Sequence, residues 1–147
     1  MENTTPIVIG SDHAGHALKE LVKEYLTALN ITFEDCGTYS EKSVDYTDFG
    51  IAVAGKVSSG EFKRGILVCG TGLGMSMVAN RFKYVRAALC NDIFSAMMCR
   101  QHNDSNILVL GGRVIGVELA KEIVQVWLKT PFEGGRHKSR IDKFDTI

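Results

Sequence analysis

The chain reads as an α/β protein: a five-stranded parallel sheet with helices on both faces. Three observations carry that reading. Short apolar runs alternate with segments of helical period along the whole chain. The runs are near-continuously apolar, as strands covered on both faces require. The chain has 147 residues, 45% of them apolar and 23% charged, which suits one compact domain, residues 1–147, with a sizeable core.

The elements follow in order. Pro6 to Ser11 is a β-branched run ending in glycine and serine. From Asp12 to Asn30, Ala14, Ala17, Leu18, Leu21, Val22, Tyr25, Leu26 and Leu29 recur with a helical period. Ile31 to Cys36 is the second strand and Gly37 to Ser43 a polar loop. Tyr46 to Ser58 is helical, with Phe49, Val53, Ala54 and Val57 on one face. Gly65 to Cys69 is the third strand, and Gly72 to Asn80 opens a helix. Val85 to Leu89 is a strand, Ile93 to Arg100 a helix, Ile107 to Leu110 the fifth strand. Val117 to Leu128 is a long amphipathic helix that Pro131 ends. The tail, residues 131–147, is basic at its start and is read as carrying one more short helix.

Lys+Arg and Asp+Glu both number 17. A balanced chain argues against nucleic acid or a membrane surface as the main partner. Met1 to Thr5 is polar, and no apolar run approaches the ~18 residues of a membrane span. The expected location is the cytoplasm. The four cysteines, Cys36, Cys69, Cys90 and Cys99, show no metal-ligand spacing, so free thiols are expected, three of them as plain buried residues.

In a parallel sheet, ligands sit outside the carboxyl ends of the strands. The residues there are Asp12-His13, Cys36-Gly37, Cys69 to Gly74, Asn91-Asp92 and Gly111 to Arg113. Gly70 to Gly74 leads into a helix, whose unpaired N–H groups can hold an oxyanion. A tight turn alone is an equal reading. Three named motifs fail. The dinucleotide fingerprint needs glycine where Met75 stands, no Gly-Lys-Ser/Thr triplet follows the loop, and Arg81 lies too far along for a cysteine phosphatase. Cys69 directly precedes the loop, where a helix N-terminus favours a reactive thiolate. Thr71 adds a hydroxyl. On this segment alone a plain buried strand-end cysteine is the slightly better reading. Asp12 reads as a helix cap, which leaves His13 unexplained. His102 ends a helix. If the tail is helical, Arg136 and Arg140 stand four apart and can grip one phosphate together; otherwise they form a solvated basic tail.

Taken as an ordered set, the motifs are more specific. "GSDHAG" (Gly10 to Gly15), "VDYTDF" (Val44 to Phe49), "CGTGLGMSMVANR" (Cys69 to Arg81), "RAALCND" (Arg86 to Asp92), "RQHNDSNILVLGGR" (Arg100 to Arg113) and "FEGGRHKSR" (Phe132 to Arg140) occur in one order. The set resembles the type B ribose-5-phosphate isomerases, in the wider family that includes galactose-6-phosphate isomerase, from Pro6 to Phe144. The resemblance implies a Rossmann-like three-layer sandwich and a metal-free, cofactor-free aldose–ketose isomerase working through a cis-enediolate. It implies a homodimer, in some members a dimer of dimers, with each site shared between subunits. By position, Cys69 resembles the base moving a proton between C2 and C1. Thr71, with the backbone amides of Gly70, Gly72, Leu73 and Gly74, resembles the oxyanion-stabilising group. His102 matches the residue that opens the sugar ring. Asp12, Asp45 and Tyr46 match pocket positions, and Asn103 matches a contact to the enediolate. His13, Arg113, Arg136 and Arg140 match phosphate ligands, with His137 beside them. Family members without the cysteine use a glutamate where this chain has Met75, which cannot take a proton.

Three other functions fit parts of the pattern. A six-carbon sugar phosphate would need only a longer pocket. A silent sugar-phosphate-binding subunit would bind without turnover. A thiol-redox role needs a second cysteine near Cys69, and the spacing shows none.

Overall fold

The computed structural model describes residues 5–147. Most of the polar N-terminus, Met1 to Thr4, lies outside the described residues. Five strands form one sheet in the order β2-β1-β3-β5-β4, every pair parallel. They are β1 (Ile7–Ser11), β2 (Phe33–Asp35), β3 (Arg64–Cys69), β4 (Ala87–Leu89) and β5 (Ile107–Gly111). The helices are α1 (His16–Ala28), α2 (Tyr46–Ser58), α3 (Leu73–Ala79), α4 (Ile93–Gln101), α5 (Val117–Lys129) and α6 (Arg136–Ile141), with a 3-10 turn at Phe144–Thr146.

The strands divide their side chains between two cores with a period of two. Ile7, Ile9, Ile66, Val68, Leu108 and Leu110 meet α1, α4 and α5. Val8, Leu67, Cys69, Ile107 and Val109 face the other way, onto Val53, Ala54 and Val57 of α2 and Met75 and Ala79 of α3. Helices therefore cover both faces, and the three-layer reading holds. No helix among the described residues is long and apolar enough to cross a membrane.

Several boundaries differ from the sequence reading, each for a local reason. The helix expected from Asp12 starts at His16, because Asp12 to Gly15 first makes a turn in which Asp12 Oδ1 accepts the Gly15 N–H at 2.9 Å. It ends at Ala28, ahead of Asn30, whose φ of 60° stops the right-handed run. The Ile31 N–H then reaches back to Leu26 O at 2.9 Å and the Asn30 N–H to Thr27 O at 3.0 Å, the Schellman pattern. Strands β2 and β4 are shorter than their apolar runs. Of the cysteines besides Cys69, Cys90 and Cys99 are buried, but Cys36 is only half-buried.

Lys19 is the residue that pattern reading misses. It is 0% exposed. Its Nζ lies 2.6 Å from Asp35 Oδ1 and 2.6 Å from Thr38 O, joining α1 to the end of β2. Burial alone pushes the Asp35 carboxyl up. The hydrogen bonds from Lys19, Lys23 and the Gly37 N–H outweigh that and hold it below its ordinary value of 3.8. A carboxyl depressed in the folded state stabilises the fold above its unfolded pKa and stops doing so as pH falls through the folded value. Asp35→Ala is therefore expected to cost roughly 3 kcal/mol at neutral pH, because Lys19 is left buried and unpaired. Urea denaturation at neutral pH and again below about pH 4 checks this: the gap between variant and wild type should shrink on acidification.

Candidate active site

Three strands end side by side. The chain after β1 packs against β3, since a Cβ on Gly15 would stand 2.4 Å from Val68 O. The loops after β3 and β5 are laced by two backbone bonds, Gly112 N–H to Cys69 O at 2.8 Å and Arg113 N–H to Gly70 O at 2.9 Å. The Arg113 side chain runs over Gly70, where a Cβ would lie 3.6 Å from its Cδ and Nη1. Asp12, His13, Cys69 to Gly74 and Arg113 thus converge at the carboxyl edge of the sheet.

The glycine loop sets Cys69. Gly72 has φ 80°, the left-handed region, and a Cβ there would also stand 2.4 Å from Leu89 Cδ1. That turn aims the Gly72 N–H at Cys69 Sγ, 3.2 Å away, fixing the sulfur at the mouth of the loop. Cys69 is 5% exposed. Thr71, exposed, takes the Leu73 N–H on its Oγ1 at 3.2 Å. The ring of Tyr46 lies directly against Gly74, where a Cβ would be 2.6 Å from Tyr46 Cε2. Tyr46 and Asp45, the cap residue of α2, are exposed beside the loop. His13 Nδ1 accepts the Val44 N–H at 3.1 Å. That bond occupies Nδ1 and leaves Nε2 as the nitrogen available for a further hydrogen bond.

The remaining candidates stand elsewhere. Helix α4 starts after β4 at the carboxyl edge and runs back, so its end, His102, lies at the amino edge. Helix α5 makes the same return after β5. Its end is tied there: Arg64 at the start of β3 donates to Leu128 O at 3.1 Å, and Arg100 Nε to Thr130 O at 3.1 Å. The tail then folds over α4. His102 and His137 stack with centroids 4.3 Å apart and planes 15° from parallel. The tail does carry a short helix, α6, so that Arg136 and Arg140 stand four apart in it, both exposed, and Asn103 is exposed next to His102. At ~3.3 Å per residue, strands of five and six residues put roughly 15–20 Å between this group and Cys69.

Glu133, inside the Phe132 to Arg140 motif but not among the residues singled out from it, joins the second group. Its Oε1 lies 3.4 Å from the buried His137 Nε2, and its N–H bonds Gln101 O at 3.1 Å. One ligand atom each from His102, Glu133 and His137 fall within 4.8 Å of one another. Stacked rings run their in-plane lone pairs side by side, however, whereas a tetrahedral metal needs them to converge. The arrangement is a stack and not a formed metal cage.

A parallel sheet wound on both faces, with a thiol, a hydroxyl, a carboxylate, an imidazole and a guanidinium gathered at its carboxyl edge, defines a ligand-binding protein of the doubly wound α/β class. The chain belongs to the Ribose/Galactose Isomerase family, whose model matches residues 7–144. It is 44% identical over 141 residues to ribose-5-phosphate isomerase B of Escherichia coli strain K12, covering 96% of this chain and 95% of that one. It is similar to the crystal structure of a ribose 5-phosphate isomerase from Thermotoga maritima, with TM-score 0.95 and 55% identity over 97% of this chain and 99% of that chain. Ribose-5-phosphate isomerase B of Mycoplasma genitalium, solved with bound ribulose 5-phosphate, gives TM-score 0.92 and 41% identity over 96% and 94% of the two chains.

Proposed function

We propose that the protein interconverts D-ribose 5-phosphate and D-ribulose 5-phosphate. The observation that carries this reading is Cys69 held by the Gly72 N–H beside Thr71, at an edge that also gathers Asp12, His13 and Arg113. The Cys69 thiolate takes the proton from C2 of the open-chain aldose. The electron pair forms the C1–C2 double bond and charge passes to O1. Thr71 and the amides of Gly70 and Gly74 stabilise that oxyanion, the Gly72 and Leu73 N–H groups being engaged by Cys69 Sγ and Thr71 Oγ1, and Thr71 relays a proton from O2 to O1. Cys69 returns its proton to C1, giving the ketose. Met75 is fully buried and cannot take protons, so Cys69 has no substitute in the loop.

The substrate arrives largely as a closed ring, which His102 opens. Asp12, Asp45, Tyr46 and Asn103 line the sugar, and His13, Arg113, Arg136, His137 and Arg140 hold the phosphate. Since the two groups stand at opposite edges of one sheet, a complete site needs two copies of the chain: Cys69 and its loop from one, His102 and the tail from the other. The protein then works as a homodimer, a single domain whose residues 131–147 close the partner's site. Leu73, Met77, Ile93, Phe94 and Val114, exposed apolar side chains on the carboxyl-edge elements, support an interface there. Four unpaired thiols fit a cytoplasmic enzyme.

The test is an isomerase assay on ribose 5-phosphate with EDTA present. Rapid metal-independent formation of ribulose 5-phosphate is expected. A folded protein that binds the sugar phosphate without converting it would refute the reading.

A further inference from the structure

Of the three cysteines outside the isomerase site, two meet each other. Cys90 follows β4 and Cys99 lies in the last turn of α4, both in the core on the face opposite Cys69. Their sulfurs are 3.8 Å apart, in contact. We propose that Cys90 and Cys99 form a dithiol modification site, which a hydroperoxide converts into an intrachain disulfide.

The surroundings distinguish the two thiols. Trp127 Nε1–H donates to Ser105 Oγ at 2.8 Å, and the Ser105 hydroxyl in turn donates to Cys99 Sγ at 3.1 Å. This relay, completely inside the core, supplies a proton donor to one sulfur only. Cys90 has no such donor, although each sulfur also meets a backbone acceptor, Ala88 O at 3.8 Å for Cys90 and Ala96 O at 3.3 Å for Cys99. The contact with Cys90, the Ser105 hydroxyl and the Arg100 charge hold the Cys99 thiol below its ordinary value, while the contact with Cys99 and burial push Cys90 up. One sulfur is thus set to attack and its neighbour to resolve. Cys99 is also the more accessible, at 8% exposure against 1% for Cys90.

The chemistry balances. The Cys99 thiolate attacks one peroxide oxygen, the O–O bond breaks, and hydroxide leaves, giving a sulfenic acid at Cys99. The Cys90 sulfur then attacks Cys99 Sγ, the S–S bond forms, and the sulfenic oxygen leaves as water with the Cys90 proton. Two thiols are oxidised and one peroxide is reduced to water.

The cleavage sites of trypsin make the test direct. Cys90 and Cys99 fall in one peptide, Ala87 to Arg100, Cys69 in another, Gly65 to Arg81, and Cys36 in a third, Glu24 to Lys42. The intact wild-type protein is treated with stoichiometric hydrogen peroxide, unfolded, alkylated and digested without reductant. The expected result is an unalkylated Ala87–Arg100 peptide, lighter by about 2 Da than its dithiol form, that takes two alkyl groups after dithiothreitol. In Cys90→Ala the same peptide should instead carry a dimedone-trappable sulfenic acid at Cys99. A wild-type Ala87–Arg100 peptide that stays fully alkylatable while the Cys69 peptide oxidises would overturn the proposal. So would oxidation of Cys99 to the sulfinic acid with Cys90 untouched.

Discussion

Replacing Cys69 with alanine is expected to lower turnover of ribose 5-phosphate by about 10³-fold while leaving sugar-phosphate binding nearly intact, the pattern of losing a group that acts on the reacting carbon alone. The split between kcat and KM follows from position. Cys69 sits beneath the loop at 5% exposure, with the Gly72 N–H on its sulfur. The phosphate is assigned to His13, Arg113, Arg136, His137 and Arg140, none of which bonds Cys69. Alanine keeps the Cβ and removes only the sulfur, so the fold should lose about 1 kcal/mol, the scale of a small buried truncation. Two readouts separate loss of chemistry from loss of structure. Inorganic phosphate should protect wild type and variant alike against thermal unfolding. In deuterated water, wild type should exchange the C2 proton of the substrate and the variant should not. Near-normal turnover by a folded Cys69→Ala protein would remove Cys69 as the base.

The fold was legible because a parallel sheet leaves a simple trace. Ile107 to Leu110 is continuously apolar because the two sides of its strand face two different cores, and no edge-exposed strand reads that way. Helix limits were less legible, since they depend on turns that compete locally: the Asp12 to Gly15 turn removes four residues from α1. Lys19 was invisible to periodicity, because its stem packs like an apolar residue while its ammonium finds Asp35, sixteen positions away. At the site, the residue types were readable but their distribution was not. The motifs of Cys69 and His102 lie in one sequence, and only the direction of α4 shows that one chain holds them at opposite edges. The Cys90–Cys99 contact escaped for a related reason: a strand end meets the last turn of the following helix, and that juxtaposition has no fixed spacing.

That separation yields the second large effect, which is a gain and not a loss. Cys69→Ala and His102→Ala are each expected to be nearly inactive, the first for want of the base and the second for want of ring opening. If each site takes Cys69 from one copy and His102 from the other, a mixed dimer holds one site with both lesions and one with neither. Random re-pairing makes about half the dimers mixed, and each mixed dimer has half its sites intact, so the mixture should recover about a quarter of wild-type activity. Native mass spectrometry of the exchanged sample reports the fraction of mixed dimers, so recovery can be compared with it directly. A site built within one chain predicts no recovery at any degree of exchange, since every chain then carries a damaged site. Confirmed exchange with activity no higher than that of the two parents would therefore sink the shared site. It would leave the amino-edge group, with its His102–His137 stack, in need of another role.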